Sequence, residues 1–153
     1  MTALQKIEFE MLKEFVRICD ELNLRYYLVC GSALGAAKYG GFIPWDDDVD
    51  VALPRPDYDV FCQRAQDMLP KHLFLQNHKT DPNYPMIFSK IRHSGTTYVE
   101  KSLAKLNMNH GIYTDIFLFR YVLAIFDHRD SHPKEKCQYT LHDASESLKV
   151  VVQ

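Results

Sequence analysis

The chain has 153 residues, 46% of them apolar and 25% charged, with a formal net charge of −2. That length suits one domain with its own core, and the near balance of charge removes any electrostatic case for nucleic acid as the main partner. Charges from Lys6 and Glu8 onward interrupt the apolar run a signal peptide needs, and no stretch approaches the length of a transmembrane helix, so a cytoplasmic location is expected.

Leu4, Ile7, Met11, Leu12, Phe15, Ile18, Cys19 and Leu22 recur at three- and four-residue steps and predict a helix over Thr2–Leu24, with Thr2 and Gln5 as a capping box. Simple packing accounts for this helix. Asn23 breaks it before an apolar, aromatic strand, Tyr26–Cys30. Ser32–Lys38 then reads as a short helix with Ser32 as N-cap. The glycine turn at Gly31-Ser32, leading into a helix N-terminus, offers backbone N–H groups and a positive dipole end to a phosphate.

Gly40 and Gly41 allow a tight path, and Pro44 and Trp45 stiffen the approach to the acidic run after them; Trp45 reads equally as a core residue or as part of a substrate wall. Asp48-Val49-Asp50-Val51 has strand alternation, which puts Asp48 and Asp50 on one face and the valines on the other. Two hard oxygen donors side by side suit Mg²⁺, with Mn²⁺ as a substitute. Asp46, Asp48, Asp50 and Asp57 also match four positions of a calcium loop, but Val51 replaces the required glycine and Pro54 and Pro56 interrupt it. Asp46 and Asp47 are better read as orienting the ligands or solvating the turn.

Beyond Leu53, Pro56 and Asp57 open a helix that runs to about Leu69. Leu73–Gln76, Met86–Arg92 and Thr96–Val99 read as strands, and His110–Phe117 as a further strand carrying Asp115 among apolar neighbours. Cys19, Cys30, Cys62 and Cys137 form no CxxC pair and read as reduced, buried thiols. His128, His132, Cys137 and His142 do not match a standard zinc spacing; residues 120–153 read as a loosely ordered tail with a weak strand at Leu148–Val152.

Strand, Gly-Ser, short helix, then Asp-x-Asp on the next strand resembles the signature of the nucleotidyltransferase superfamily. The run GSALGAAKYGGFIPWDDDVDVALPRPDY, Gly31 to Tyr58, is similar to the LicD family within it, which includes fukutin-like proteins. The resemblance covers roughly residues 4–119 and implies an α+β fold, a nucleotidyltransferase-like mixed sheet flanked by helices, shortened at its C-terminus where Phe119-Arg120 replaces the family's usual continuation. It implies a metal-dependent transfer of a phosphoryl-alcohol group, such as phosphocholine, from a CDP-activated donor to a cell-surface glycan hydroxyl. An acceptor on a membrane would be met at the membrane surface.

The resemblance also supplies residue roles. Asp115 looks like the third carboxylate beside Asp48 and Asp50, the three holding Mg²⁺; Gly31 and Ser32 would cradle phosphate. Lys38 stands where the family more usually has Arg, keeping the charge without the bidentate fork. Arg55 matches a family position and is either a phosphate contact or a structural ion pair, and Lys90 falls where a basic residue is expected on a sheet strand. Two alternatives stay open: the same acids transferring a nucleotidyl group, or a non-catalytic remnant that keeps metal binding or serves as a partner module.

Overall fold

The computed structural model describes residues 1–119. Helix α1 (Ala3–Glu21) starts on Thr2, whose hydroxyl accepts from the Gln5 N–H while the Gln5 side chain accepts from the Thr2 N–H, so both ends of the expected capping box are made. It ends where Asn23 turns left-handed at φ 53° and the Leu24 N–H closes onto Cys19 O at 2.8 Å. The apolar stripe of α1 buries Met11, Leu12, Phe15, Ile18 and Cys19.

The chain continues through β1 (Tyr27–Leu28), α2 (Cys30–Tyr39), β2 (Asp50–Pro54), α3 (Arg55–Met68), β3 (Leu73–Gln76), β4 (Ser89–His93) and β5 (Ile112–Phe119). The five strands form one sheet in the order β1-β2-β5-β4-β3, in which β2 and β5 run parallel and the other pairs antiparallel. Helices α1 and α3 pack against the sheet and against each other. Phe15 sits at the centre of this packing, edge-on to Tyr26 at 5.7 Å and tilted against Phe61 at 5.2 Å, in a core that also buries Leu53, Leu75, Ile91 and Ile116 completely. Burying each of these side chains contributes about 1.5–3 kcal/mol. This is the expected α+β fold with a mixed sheet and flanking helices. Among the described residues, no helix is long and apolar enough to cross a membrane.

Several local expectations are corrected. Helix α2 begins at Cys30, with Val29 rather than Ser32 at the N-cap and no side-chain capping bond. Cys30 stands at φ 50°, a left-handed conformation that costs a non-glycine residue roughly 1–2 kcal/mol. Its thiol is exposed, whereas Cys19 is buried and Cys62 half-buried, so burial does not hold for all the thiols. The second strand begins at Asp50, leaving Asp48 on its approach, although the Asp115 N–H still bonds Val49 O at 2.8 Å. Residues 86–88 precede β4 rather than belong to it, and Ile87 is exposed. Thr96–Val99 is not a strand; one backbone bond, Tyr98 N–H to His110 O, ties it to the loop before β5. The expectations about Cys137, the histidines at 128, 132 and 142, and the strand at Leu148–Val152 fall outside the described residues.

Candidate active site

Parallel pairing of β2 with β5 sets Asp50 directly opposite Asp115, residues 65 positions apart in the sequence and neighbours on the sheet. Both residues are largely buried, at 8% exposure, Asp50 opening β2 and Asp115 within β5. Burial and then the charge of Asp48, followed by those of Asp115 and Asp46, push the Asp50 carboxyl up to about 7. Asp115 is pushed up to about 6, mainly by burial and against the pull of Lys90. Asp48 is raised as well, by burial and then by Asp46 and Asp47. The structure thus sets Asp50 beside Asp115, and the charge of Asp48, on the approach to β2, opposes both.

Two residues expected to cradle phosphate also brace this acid loop. The Ser32 hydroxyl accepts the Asp50 N–H at 2.9 Å, which fixes the start of β2 to α2. Gly31 lies against Asp46: a Cβ placed on it would stand 2.7 Å from Asp46 Oδ2, so a larger residue there would have to displace the carboxylate. The N-terminal end of α2 is therefore already faced by a negative charge from the chain itself.

Lys90 is not an exposed arm. It is 1% exposed, with Nζ 2.8 Å from Asp115 Oδ1, 3.2 Å from Glu100 Oε1 and 3.4 Å from the Tyr113 ring centroid. Register explains the placement, since β4 sets Lys90 opposite Asp115 and Arg92 opposite Tyr113. Arg92, fully buried, bonds Glu100 Oε2 at 2.9 Å, Gln76 Oε1 at 2.7 Å and Gly111 O at 2.8 Å. Buried Lys90 and Arg92, with half-buried Glu100, thus form an ionic bed beneath Asp115.

Lys38 and Arg55 are not drawn into this centre. Lys38 lies in the last turn of α2, about 9 Å along the helix from Ser32, with Nζ 5.5 Å from the Tyr39 ring centroid. Arg55 lies five residues beyond Asp50, roughly 16 Å along an extended strand, and pairs with Asp59 at 2.7 Å on the outer face of α3. Of its two readings, the structural ion pair is the one the contacts support. Trp45 is 77% exposed and meets Tyr39 edge-on at 6.2 Å, which excludes the core reading. Asp57 accepts from Arg25 at 2.7 Å on α3, so the calcium loop lacks its closing ligand.

Sequence reasoning missed Glu8, Tyr98, Arg92 and Glu100. Glu8 lies on α1 among its buried residues, 1% exposed, and burial together with the charges of Asp48, Asp47 and Asp46 pushes it up to about 8. Its signal was legible: Leu4, Met11 and Leu12, at steps of three and four from it, place a carboxylate inside an apolar stripe. The Tyr98 hydroxyl donates to Asp47 Oδ2. Arg92 also had a signal, because two residues from Lys90 on a strand means the same face. Glu100 had none, being in an aperiodic loop.

A site of this donor set fits a hard divalent cation. Asp50 and Asp115, paired across β2 and β5 with Lys90 against Asp115, offer hard oxygen donors of the type Mg²⁺ or Mn²⁺ takes, and in the adjoining loop one carboxylate oxygen from each of Asp46, Asp47 and Asp48 lies within 4.8 Å of the other two. Beside the acids an apolar cavity of about 240 Å³ opens between α1 and α2, walled by Phe9, Leu12, Leu28 and Phe42, with Ser32 and Asp46 on its polar edge.

The parallel pair β2 and β5 presents Asp50 and Asp115 to each other within a five-stranded mixed sheet, and Ser32 of α2 is bonded to the start of β2. The sequence profile of the LicD/FKTN/FKRP nucleotidyltransferase domain matches residues 23–145. The chain belongs to the LicD family. The match begins after α1 and continues past Phe119, where the resemblance was expected to end. Among curated proteins, the chain is 39% identical over 57 residues to the lipopolysaccharide cholinephosphotransferase LicD of Haemophilus influenzae, covering 37% of this chain and 22% of that protein. It is 43% identical over 44 residues to the human ribitol 5-phosphate transferase FKRP, covering 29% of this chain and 9% of that one. The matched stretches thus span less than a quarter of the relatives' lengths.

Proposed function

We propose that this chain carries the catalytic centre of a metal-dependent phosphotransferase, which moves a phosphoryl-alcohol group from a nucleotide-activated donor to a hydroxyl of a glycan. The observation that supports this reading best is the facing pair Asp50 and Asp115 on the central parallel strands, with Asp48 beside them. CDP-choline is the first donor to test, because the Haemophilus relative is named a cholinephosphotransferase. The acceptor would be a cell-surface glycan, and assembly from the cytoplasmic side is the corresponding location.

Asp48, Asp50 and Asp115 would hold Mg²⁺ or Mn²⁺. Bound there, the metal would supply charge stabilisation to the phosphate oxygens and lower the pKa of the attacking hydroxyl. The chain's own residues do the positioning. Ser32 fixes the backbone at Asp50, Lys90 holds Asp115 in place on its ionic bed, and Gly31 leaves room for Asp46 against α2. The apolar cavity beside Ser32 is the place where a non-reacting part of the donor can be gripped while water is excluded.

The test is release of CMP from CDP-choline by the full chain with Mg²⁺ and a glycan acceptor, compared with the Asp50→Asn and Asp115→Asn variants. Phosphocholine on the acceptor with CMP free supports the proposal. Nucleotide on the acceptor would establish nucleotidyl transfer instead, and no turnover by the parent would favour a non-catalytic module.

A further inference from the structure

Strand register sorts the side chains of the sheet onto two faces. Val51, Leu53, Ile91 and Ile116 lie on the face packed by α1 and α3. The other face carries the acids, with Asp50 and Lys90 each opposite Asp115. Continued along β2 and β5, that face next presents Ala52 opposite Phe117 and then Pro54 opposite Phe119. Phe88, two residues before Lys90, closes the row on the β4 side, its ring 4.6 Å from that of Phe117 and tilted by 41°. On the β1 side Tyr27, opposite Ala52, meets Phe119 at 5.9 Å. These four rings are half-buried.

The row is continuous with the acid pair. Lys90 Nζ, 2.8 Å from Asp115, stands 5.6 Å from the Phe88 ring centroid, and Phe117 follows Asp115 by two residues, about 7 Å along the strand. A ribose spans a gap of this kind between the phosphate of a nucleotide and its base. Ala52, Pro54, Phe88, Phe117 and Phe119 have no side-chain hydrogen-bonding group, so the hydroxyls of a sugar or polyol laid here would lose water without replacement. A nucleobase differs, because its flat π-face stacks on a ring while its polar edge stays in water. Such stacking on one aromatic side chain is worth about 5- to 150-fold in affinity.

We infer that Phe88 and Phe117 form a stacking platform for the base of the donor nucleotide, with Tyr27 and Phe119 as its outer border. The inference rests on the transferase reading for the donor being a nucleotide, and it adds the donor's orientation: base over the Phe88–Phe117 pair, phosphates toward Asp50 and Asp115. The cavity beside Ser32 is then left to the transferred group. Recognition through the π-face gives affinity without selecting among bases.

The experiment measures binding of CMP, and of ribose 5-phosphate with a hydroxyl in place of the base, to the full chain at saturating Mg²⁺ by isothermal titration calorimetry. The parent, Phe88→Leu/Phe117→Leu and Phe88→Tyr/Phe117→Tyr are compared, each checked for a cooperative melt. The inference expects the parent to prefer CMP at least tenfold. It expects the leucine variant to reduce that preference to threefold or less with ribose 5-phosphate affinity unchanged, and the tyrosine variant, which keeps both rings, to retain it. It is overturned when the parent binds the two ligands equally or binds neither, or when the leucine variant keeps the parent's preference, as it does if the rings only pack. If the leucine variant does not melt cooperatively, Phe88→Leu alone, outside the strands, replaces it; a threefold or greater loss of preference supports the platform, and any smaller loss overturns it. Failure of the transferase reading looks different: CMP bound with the base preference but no turnover of CDP-choline leaves the platform standing, whereas turnover with an unchanged preference in the leucine variant removes the platform and leaves the transferase.

Discussion

Replacing Lys90 with methionine removes the cation beneath Asp115 while nearly preserving its length. In the parent, Nζ stands 2.8 Å from Asp115 and 3.2 Å from Glu100, at 1% exposure. At an effective dielectric of 20 the first contact alone corresponds to about 6 kcal/mol of gross attraction. Much of that is offset by the cost of drying both ions, so the net loss on breaking a buried pair is about 3–5 kcal/mol. Glu100 keeps Arg92 at 2.9 Å, so the carboxylate left unpaired is that of Asp115. That carboxyl, already pushed up to about 6, moves further up in the variant and takes a proton as the pH falls. Urea unfolding of the metal-free protein should therefore show a loss of about 3 kcal/mol or more at pH 8 and less than half of it at pH 5. Added Mg²⁺ should recover part of the loss at pH 8, because a cation replaces the missing charge. An equal loss at both pH values, or a loss below ~1 kcal/mol at pH 8, would refute the claim that Lys90 acts by neutralising Asp115.

Glu8, Asp50 and Asp115 all have folded values above their ordinary ones, at about 8, 7 and 6, so the metal-free fold is most stable where they are protonated. Its melting midpoint should fall as the pH rises from about 4 through about 8, and saturating Mg²⁺ should flatten that fall; a midpoint that rises across the window would contradict the site's electrostatics. Ser32→Ala removes the bond to the Asp50 N–H and should cost about 1 kcal/mol in urea unfolding, with a larger proportional loss of CMP release than of stability. Gly31→Ala drives a Cβ onto Asp46 Oδ2 and should lower both the melting midpoint and Mn²⁺ affinity. Arg55→Ala, at an exposed surface pair away from the acids, should leave Mg²⁺ binding and CMP release unchanged.

The features legible in the sequence were local. The Thr2–Gln5 capping box, the left-handed break at Asn23 and the β3 strand arise from residue types and spacing over a few positions, and the structure has them at the expected places. Asp48 and Asp50 announced themselves by their motif. Their partner Asp115 is reachable through family resemblance, since no spacing rule links residues that meet only through parallel pairing of β2 and β5. Ser32 misleads because a Gly-Ser turn is a good cap in isolation; once the helix starts two residues earlier, its hydroxyl is free for the Asp50 N–H. Lys90 reads as a surface or ligand-facing charge because its salt partners come from β5 and from the loop at Glu100, neither visible from β4 alone. Glu8 shows the reverse case: the apolar stripe is plain in the sequence, and the carboxylate lying within it passes for ordinary packing.

The central claim is that Asp48, Asp50 and Asp115 form a working metal centre for a nucleotide-activated donor. Its most direct test is the melting midpoint of the full chain with Mg²⁺ and CDP-choline, alone and together, beside the Asp50→Asn/Asp115→Asn variant. A ligand at a hundredfold excess over its dissociation constant stabilises the folded state by about 2.7 kcal/mol. The account predicts a rise of several degrees for the parent with both ligands present and none for the variant. Equal midpoints for parent and variant under every condition would contradict it.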